Sequence, residues 1–159
     1  MTSPILNPQP TPCVAQIEFD WTLKHHRPWL RVAEVQRALK CTEPHVRNLI
    51  DDGSLDLVID LRGPGTVQPY YRIARDSLFR FTAQEQAPTS LESFLEPYLR
   101  NLPMVLSAWQ VAGHLAVSDD HILALAAELG SDISTAGSQR TCLRVPRPRL
   151  VEFLRRRKI

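Results

Sequence analysis

From Ala15 to Lys24 apolar and polar residues alternate without a break, with Ala15, Ile17, Phe19, Trp21 and Leu23 on one side and Gln16, Glu18, Asp20, Thr22 and Lys24 on the other. A period of two predicts a half-buried strand, which either extends the sheet of the segment that follows or pairs with a second subunit. Upstream, Pro4, Pro8, Pro10 and Pro12 remove ladder donors and predict a loosely docked tail. Downstream the period changes. Val32, Val35, Leu39, Val46, Leu49 and Ile50 fall at helical spacing, interrupted at Lys40-Cys41-Thr42, so two short helices joined by a tight turn are expected. Thr42 is placed to cap the second, Pro44 suits its first turn because the amide it lacks has no partner there, and Gly53 ends it. Leu55–Leu61 and Val67–Ile73 read as strands around a hairpin loop at Arg62-Gly63-Pro64-Gly65-Thr66. A last short helix carries Leu78, Phe79 and Phe81.

This order occurs twice. Trp29-Leu30-Arg31-Val32-Ala33-Glu34-Val35 recurs 76 positions later as Val105-Leu106-Ser107-Ala108-Trp109-Gln110-Val111, and Leu39, Thr42, His45, Val46 and Leu49 find Leu115, Ser118, His121, Ile122 and Leu125 at the same offset. After a four-residue slip, Arg72-Ile73-Ala74-Arg75 and Leu78 are answered by Arg144-Val145-Pro146-Arg147 and Leu150. The unit of architecture is therefore a segment of roughly 50 residues, present in two copies. Between them, Leu91, Phe94, Leu95, Tyr98 and Leu99 form an apolar stripe on a linker helix, opened by a Thr89/Glu92 capping box and kinked or shortened by Pro97. That stripe packs on one or both repeats or forms a dimer seam. Repeat two opens with its own capping box, Ser107 with Gln110, and its hairpin within Ser131–Arg144 is more polar. The expected organisation is a tail and strand over 1–26, a first module over 27–84, the linker over 85–103, and a second module with a basic C-terminus over 104–159.

Helix, tight turn, helix and hairpin is the order of a winged helix-turn-helix. Leu30-Arg31-Val32-Ala33-Glu34-Val35, Cys41-Thr42 ahead of the second helix, Leu49-Ile50-Asp51-Asp52-Gly53, and Tyr71-Arg72-Ile73 followed by Leu78 together resemble the excisionase and MerR-type winged-helix family. The resemblance covers about residues 27–81 and, more loosely, 104–154. It implies an α+β, mainly α fold of two tandem winged helix-turn-helix modules joined by a linker helix, with an N-terminal strand. It also implies DNA binding, often with bending, in excision, transcription or phage packaging; the fold alone does not choose among these.

With Val46, Leu49 and Ile50 turned to the core, helical geometry turns Glu43, Pro44, Arg47 and Asn48 outward. Arg47 suits guanine, Asn48 adenine, and Glu43 the amino group of cytosine. Thr42, His45 and the helix amides suit phosphate, with Arg62, Arg72 and Arg75 steadying the wing on the backbone. The bland alternative is a solvated helix face.

Repeat two departs at the same slots. Asp119, Asp120, Leu123 and Ala124 replace Glu43, Pro44, Arg47 and Asn48. Carboxylates there favour the helix's own N-terminus but repel phosphate, so this helix is a poor base reader. Ile122 to Ala127 is apolar nearly all round, which predicts burial: Ile122, Leu123, Ala124 and Ala127 are the expected interface, against the linker, the first module or a twin subunit. Arg144, Arg147, Arg149 and the cluster Arg155, Arg156, Arg157 and Lys158 either contact phosphates without reading sequence or simply supply helix-terminal charge.

Composition changes this picture little. A net charge of +2 does not by itself announce nucleic acid, although residues 27–81 carry nine Lys/Arg against seven Asp/Glu and 103–159 carry eight against five. Cys13, Cys41 and Cys142 are an odd set without metal-ligand spacing, which suits a reducing compartment. His25, His26, His45, His114 and His121 lack Cys or carboxylate partners at zinc-like spacing, and no nucleophile with a base and an orienting partner can be assembled. Trp21, Trp29 and Trp109 read as core or inter-module packing. No leader or membrane span is visible. The expectation is a cytoplasmic, nucleoid-associated, non-enzymatic protein without cofactor or metal that binds double-stranded DNA in a sequence-specific way, as an excisionase-like architectural factor or a small transcription regulator. A homodimer or protein partner would engage through module two or the linker helix. The alternative is a winged-helix interaction or scaffold protein, such as a phage packaging or assembly subunit, that does not read DNA.

Overall fold

In a computed structural model, which describes residues 27–84, 90–130, 132–134 and 142–159, both repeats run through one order of elements. The first is β1 (Trp29–Arg31), α1 (Val32–Leu39), α2 (Glu43–Asp51), β2 (Val58–Asp60), β3 (Tyr71–Ala74) and α3 (Arg75–Ala83). After the linker α4 (Leu91–Leu99), the second is β4 (Val105–Ser107), α5 (Ala108–Leu115), α6 (Asp119–Ala124), β5 (Asp132–Ser134), β6 (Cys142–Pro146) and α7 (Arg147–Arg157). The architecture is α+β, with seven helices and two three-stranded antiparallel sheets among the described residues. The strand expected at 15–24, the proline-rich tail, Thr89 and the tip of the second hairpin lie outside those residues. The observed cap of α4 is Ser90, whose Oγ accepts from the Ser93 amide at 3.1 Å.

Strand order is β1-β3-β2 in one sheet and β4-β6-β5 in the other. Trp29 faces Ala74 and Leu30 faces Ile73; Val105 faces Pro146 and Leu106 faces Val145. The first members of these pairs differ by 76 positions and the second by 72, so the four-residue slip falls between the helix pair and the last strand. The first helices also end alike. Lys40 and Ala116 take left-handed φ values of 52° and 55°, and the next amides return to the helix, Cys41 to Gln36 O at 3.1 Å and Val117 to Ala112 O at 3.0 Å. Neither residue is glycine, so each turn carries roughly 1–2 kcal/mol of unfavourable backbone conformation.

The first hairpin has shorter strands and a longer loop than 55–61 and 67–73 predict. Buried Asp60 explains the difference. Its Oδ1 accepts the amides of both Arg62 (3.0 Å) and Tyr70 (2.9 Å), so a carboxylate closes the mouth of the loop and the chain beyond leaves the ladder.

The first sheet is apolar on both faces, and its period of two divides the side chains between two cores. Leu30, Val58 and Ile73 face Val35, Val46, Leu49, Ile50 and Leu78 of the same repeat. Trp29, Leu57, Ile59, Leu61 and Ala74 face the other way, into a core shared with Leu91, Phe94 and Leu95 of α4 and with Leu106, Leu115, Ile122, Val145 and Phe153 of repeat two. Trp29 meets Phe94 edge-on at 5.1 Å. The linker stripe is therefore covered within the chain. α4 runs through Pro97 to Leu99, and Arg147 Nη1 donates to the exposed carbonyl ends at Leu99 O (2.9 Å) and Leu102 O (3.3 Å). Beyond α7, Lys158 bridges Ile59 and the Ile159 amide donates to Val58 O at 3.0 Å, on the outer edge of β2.

Candidate nucleic-acid interface

α2 begins where Thr42, in extended conformation (φ −86°, ψ 160°), precedes Glu43 and Pro44. Val46, Leu49 and Ile50 are buried, while Thr42, Glu43, Pro44, His45 and Asn48 are exposed and Arg47 lies half-exposed between them. Arg47 donates from Nη2 (2.7 Å) and Nε (3.1 Å) to the same Glu43 oxygen. That bond to Glu43 pushes the Arg47 guanidinium further up. The far end of the helix is acidic. Asp51 and Asp52 are exposed, and hydrogen bonding from Ser54, its side chain foremost and then its amide at 2.8 Å, holds the Asp52 carboxyl below the usual range.

The arginines expected to steady a wing have separate fates. Arg62 stays at the surface, 47% exposed, with Nε 2.7 Å from Asp60. Arg72, expected to contact backbone phosphate, is buried at 2% exposure. Its Nε donates to Leu115 O (3.0 Å), Nη2 to Ala116 O (2.8 Å) and Nη1 to Tyr71 O (2.8 Å), and the guanidinium lies 4.2 Å from the Tyr70 ring. Loss of solvent pushes its ionisation down, and the carbonyls at the C-terminus of α5 supply the acceptors that water would have provided. Arg31 Nε adds a third bond to this helix end, to Ala116 O at 3.2 Å. Arg75 is likewise turned inward: Nη2 donates to Tyr98 Oη at 2.6 Å, and its buried Nε has no partner. Neither arginine is presented to a phosphate.

In repeat two, α6 is six residues long, capped by Ser118 Oγ accepting from the His121 amide at 3.3 Å, with Asp119 and Asp120 exposed. The apolar run does not bury all round. Ile122 enters the shared core with Leu125, Ala126 and Leu129, whereas Leu123 (41%), Ala124 and Ala127 face outward. Small alanines leave that outer face with little area to hide. His121, beside them, contacts the first repeat: Nε2 is 2.6 Å from Leu61 O and its ring is 4.8 Å from that of Tyr70.

Several of the basic C-terminal residues bond within the chain. Arg147 bonds the end of α4, Arg155 pairs with Glu92 at 2.8 Å and holds that carboxyl low, and Arg156 donates to Glu128 O at 3.0 Å. Arg157 reaches Glu128 Oε2 (3.1 Å from Nε) and the carbonyls of Asp60 and Arg62. Arg144 remains exposed on β6. Arg149, Arg155, Arg156 and Lys158 are exposed as well, so of these expected phosphate-contacting residues it is Arg147 and Arg157 that are turned inward.

His114 is buried with Nε2 unpartnered, edge-on to Tyr98 at 6.2 Å, and burial pushes its ring down to about 4. Trp29 is core, but Trp109, expected to pack, is 67% exposed, and Met104 (62%) and Val105 (47%) are exposed as well. Its equivalent in repeat one is Ala33, and position N2 of α5 points it away from the sheet. Among the described residues no group of three His, Cys, Asp or Glu can hold a metal ion, and no helix is long and apolar enough to cross a membrane. The contacts of His121 and Arg157 with the first hairpin, at Leu61, Tyr70, Asp60 and Arg62, were not read from sequence, since they join positions far apart in the chain. Compared with known proteins, the chain matches no family model, no curated relative and no solved structure.

Proposed function

We propose that the chain is a non-enzymatic, sequence-reading double-stranded DNA-binding protein made of two tandem winged helix-turn-helix modules, of which only the first reads. The observation that carries this is the outer face of α2: Thr42, Glu43, Pro44, His45 and Asn48 are all exposed, with Arg47 at the surface, on the second helix after a tight turn. A helix N-terminus lined with donors and acceptors of this kind suits major-groove base edges, Arg47 to guanine and Asn48 to adenine, with Glu43 either steadying Arg47 or accepting from cytosine. Arg62 supplies the wing's phosphate contact. Module two serves as a brace and, through Leu123, Ala124 and Ala127, as a surface for self-association. An excisionase-like architectural factor and a small transcription regulator share this chemistry.

A protein-interaction or scaffold role is the second reading, and one observation favours it. The charges on α2 and its C-cap are Glu43, Asp51 and Asp52 against Arg47, a net negative face. Selection from random-sequence duplex DNA over a range of salt concentrations separates the two. An enriched motif with salt-dependent affinity supports the DNA reading. No retention at low salt removes it in favour of the scaffold.

A further inference from the structure

The wing of the first repeat is held by the second. On the stem leaving β2, His121 Nε2–H donates to Leu61 O at 2.6 Å, which requires the proton on Nε2. Arg157 Nη1 donates to Asp60 O (3.3 Å) and Arg62 O (3.0 Å), and Glu128 fixes the rest of that guanidinium. On the stem entering β3, the Tyr70 ring lies between the His121 ring at 4.8 Å and the Arg72 guanidinium at 4.2 Å, the latter tied to the end of α5. The loop between these stems projects from them, with Val67 87% exposed.

We propose that repeat two contributes to DNA binding through the first wing: His121 and Arg157 are positioning residues that fix the pose of that wing, so that Arg62 and the loop amides meet a phosphate beside the groove entered by α2. The inference rests on the DNA reading above. A loop closed only by Asp60 would lose conformational freedom on meeting the backbone; one already fastened at both stems loses less, and the difference appears as affinity independent of sequence. It also gives the second repeat a reason to keep its fold after losing the base-reading side chains.

The test measures amide hydrogen exchange of the wing and duplex affinity on the full chain. His121→Ala is expected to speed exchange at residues 62–70 about fivefold or more, with the α2 amides unchanged. It should also weaken binding to every duplex sequence about threefold, without reordering base preference. His121→Gln, whose amide can donate to Leu61 O, restores both in part. Arg157→Met reproduces the pattern from the other anchor. Unchanged wing exchange in His121→Ala and Arg157→Met overturns the proposal, as does faster wing exchange at unchanged affinity. Exchange that rises equally in α2 also overturns it, since the two residues would then support the fold at large. A wild-type chain that binds no duplex removes the DNA reading itself, and the exchange data separately show whether the stems are fastened.

Discussion

Arg72 and Ala116 lie 44 positions apart in the chain and meet at 2.8 Å, guanidinium to carbonyl, at the place where the first helix of repeat two turns back on itself. A residue selected from sequence as a phosphate contact is instead the hinge pin between the repeats. Arg72→Ala leaves Leu115 O without its donor, Ala116 O with Arg31 alone, and a space under Tyr70. It should lower stability by about 2–3 kcal/mol, measured by urea unfolding. Arg72→Lys should recover little, because Leu115 O, Ala116 O and Tyr71 O are reached by three different nitrogens of a planar guanidinium, and donors radiating from a single ammonium nitrogen do not match that spread. Stability unchanged in Arg72→Ala would show that the buried bonds contribute nothing net.

Arg47→Ala should behave in the opposite way. Its ion pair with Glu43 joins half-exposed side chains four residues apart on a helix, and removing it should change stability by less than about 0.5 kcal/mol. If α2 reads DNA, the same change should cost about 1–3 kcal/mol of affinity for the preferred site and relax the choice at one base position. Competition binding with single-base variants of the selected site measures this directly.

His114 makes stability depend on pH. Burial lowers its folded-state value to about 4 from an ordinary 6.5, so below 6.5 the unfolded chain binds a proton that the folded chain refuses. Its contribution to stability is complete above 6.5 and is lost as pH falls towards 4, by at most roughly 3 kcal/mol. His114→Leu should flatten that part of the stability–pH curve. An identical slope in wild type and variant would assign the dependence to other groups.

Leu123→Asp tests the outer face of α6. At 41% exposure the side chain supports little of the monomer, and the substitution should shift stability by no more than about 0.5 kcal/mol. If this face joins two copies, sedimentation should show the wild type dissociating only on dilution while the variant stays monomeric. Wild-type monomer at high concentration would end the self-association reading.

The repeat was the most legible feature of the sequence, because residues at 76-position spacing occupy matching places in the fold: the turn residues Lys40 and Ala116, and the backbone amides of Arg31 and Ser107, which donate to the side chains of Glu34 and Gln110 three residues on. The buried face of α2 was equally legible from Val46, Leu49 and Ile50. Two things were not. Periodicity tells which residues are buried but not against what, so Leu57-Val58-Ile59 read as one strand and gave no sign that alternate side chains enter different cores. Charge was the other. Arg72, Arg75, Arg147, Arg155 and Arg156 carry the same formal charge as a phosphate-contacting set, and only tertiary placement shows each of them already facing an acceptor. The hairpin boundaries shifted for a similar reason, since Asp60 makes with its side chain the bonds that a pattern assigns to the ladder.

The two-faced sheet bears on how the molecule comes apart. With Trp29, Leu57, Ile59, Leu61 and Ala74 buried in a core that the other repeat completes, neither half can melt without uncovering a large apolar surface on its neighbour. Duplication in the sequence therefore does not translate into modularity in thermodynamics. Heat or denaturant should meet one cooperative transition for both repeats, and an isolated first repeat would present that uncovered surface to solution, where aggregation competes with folding.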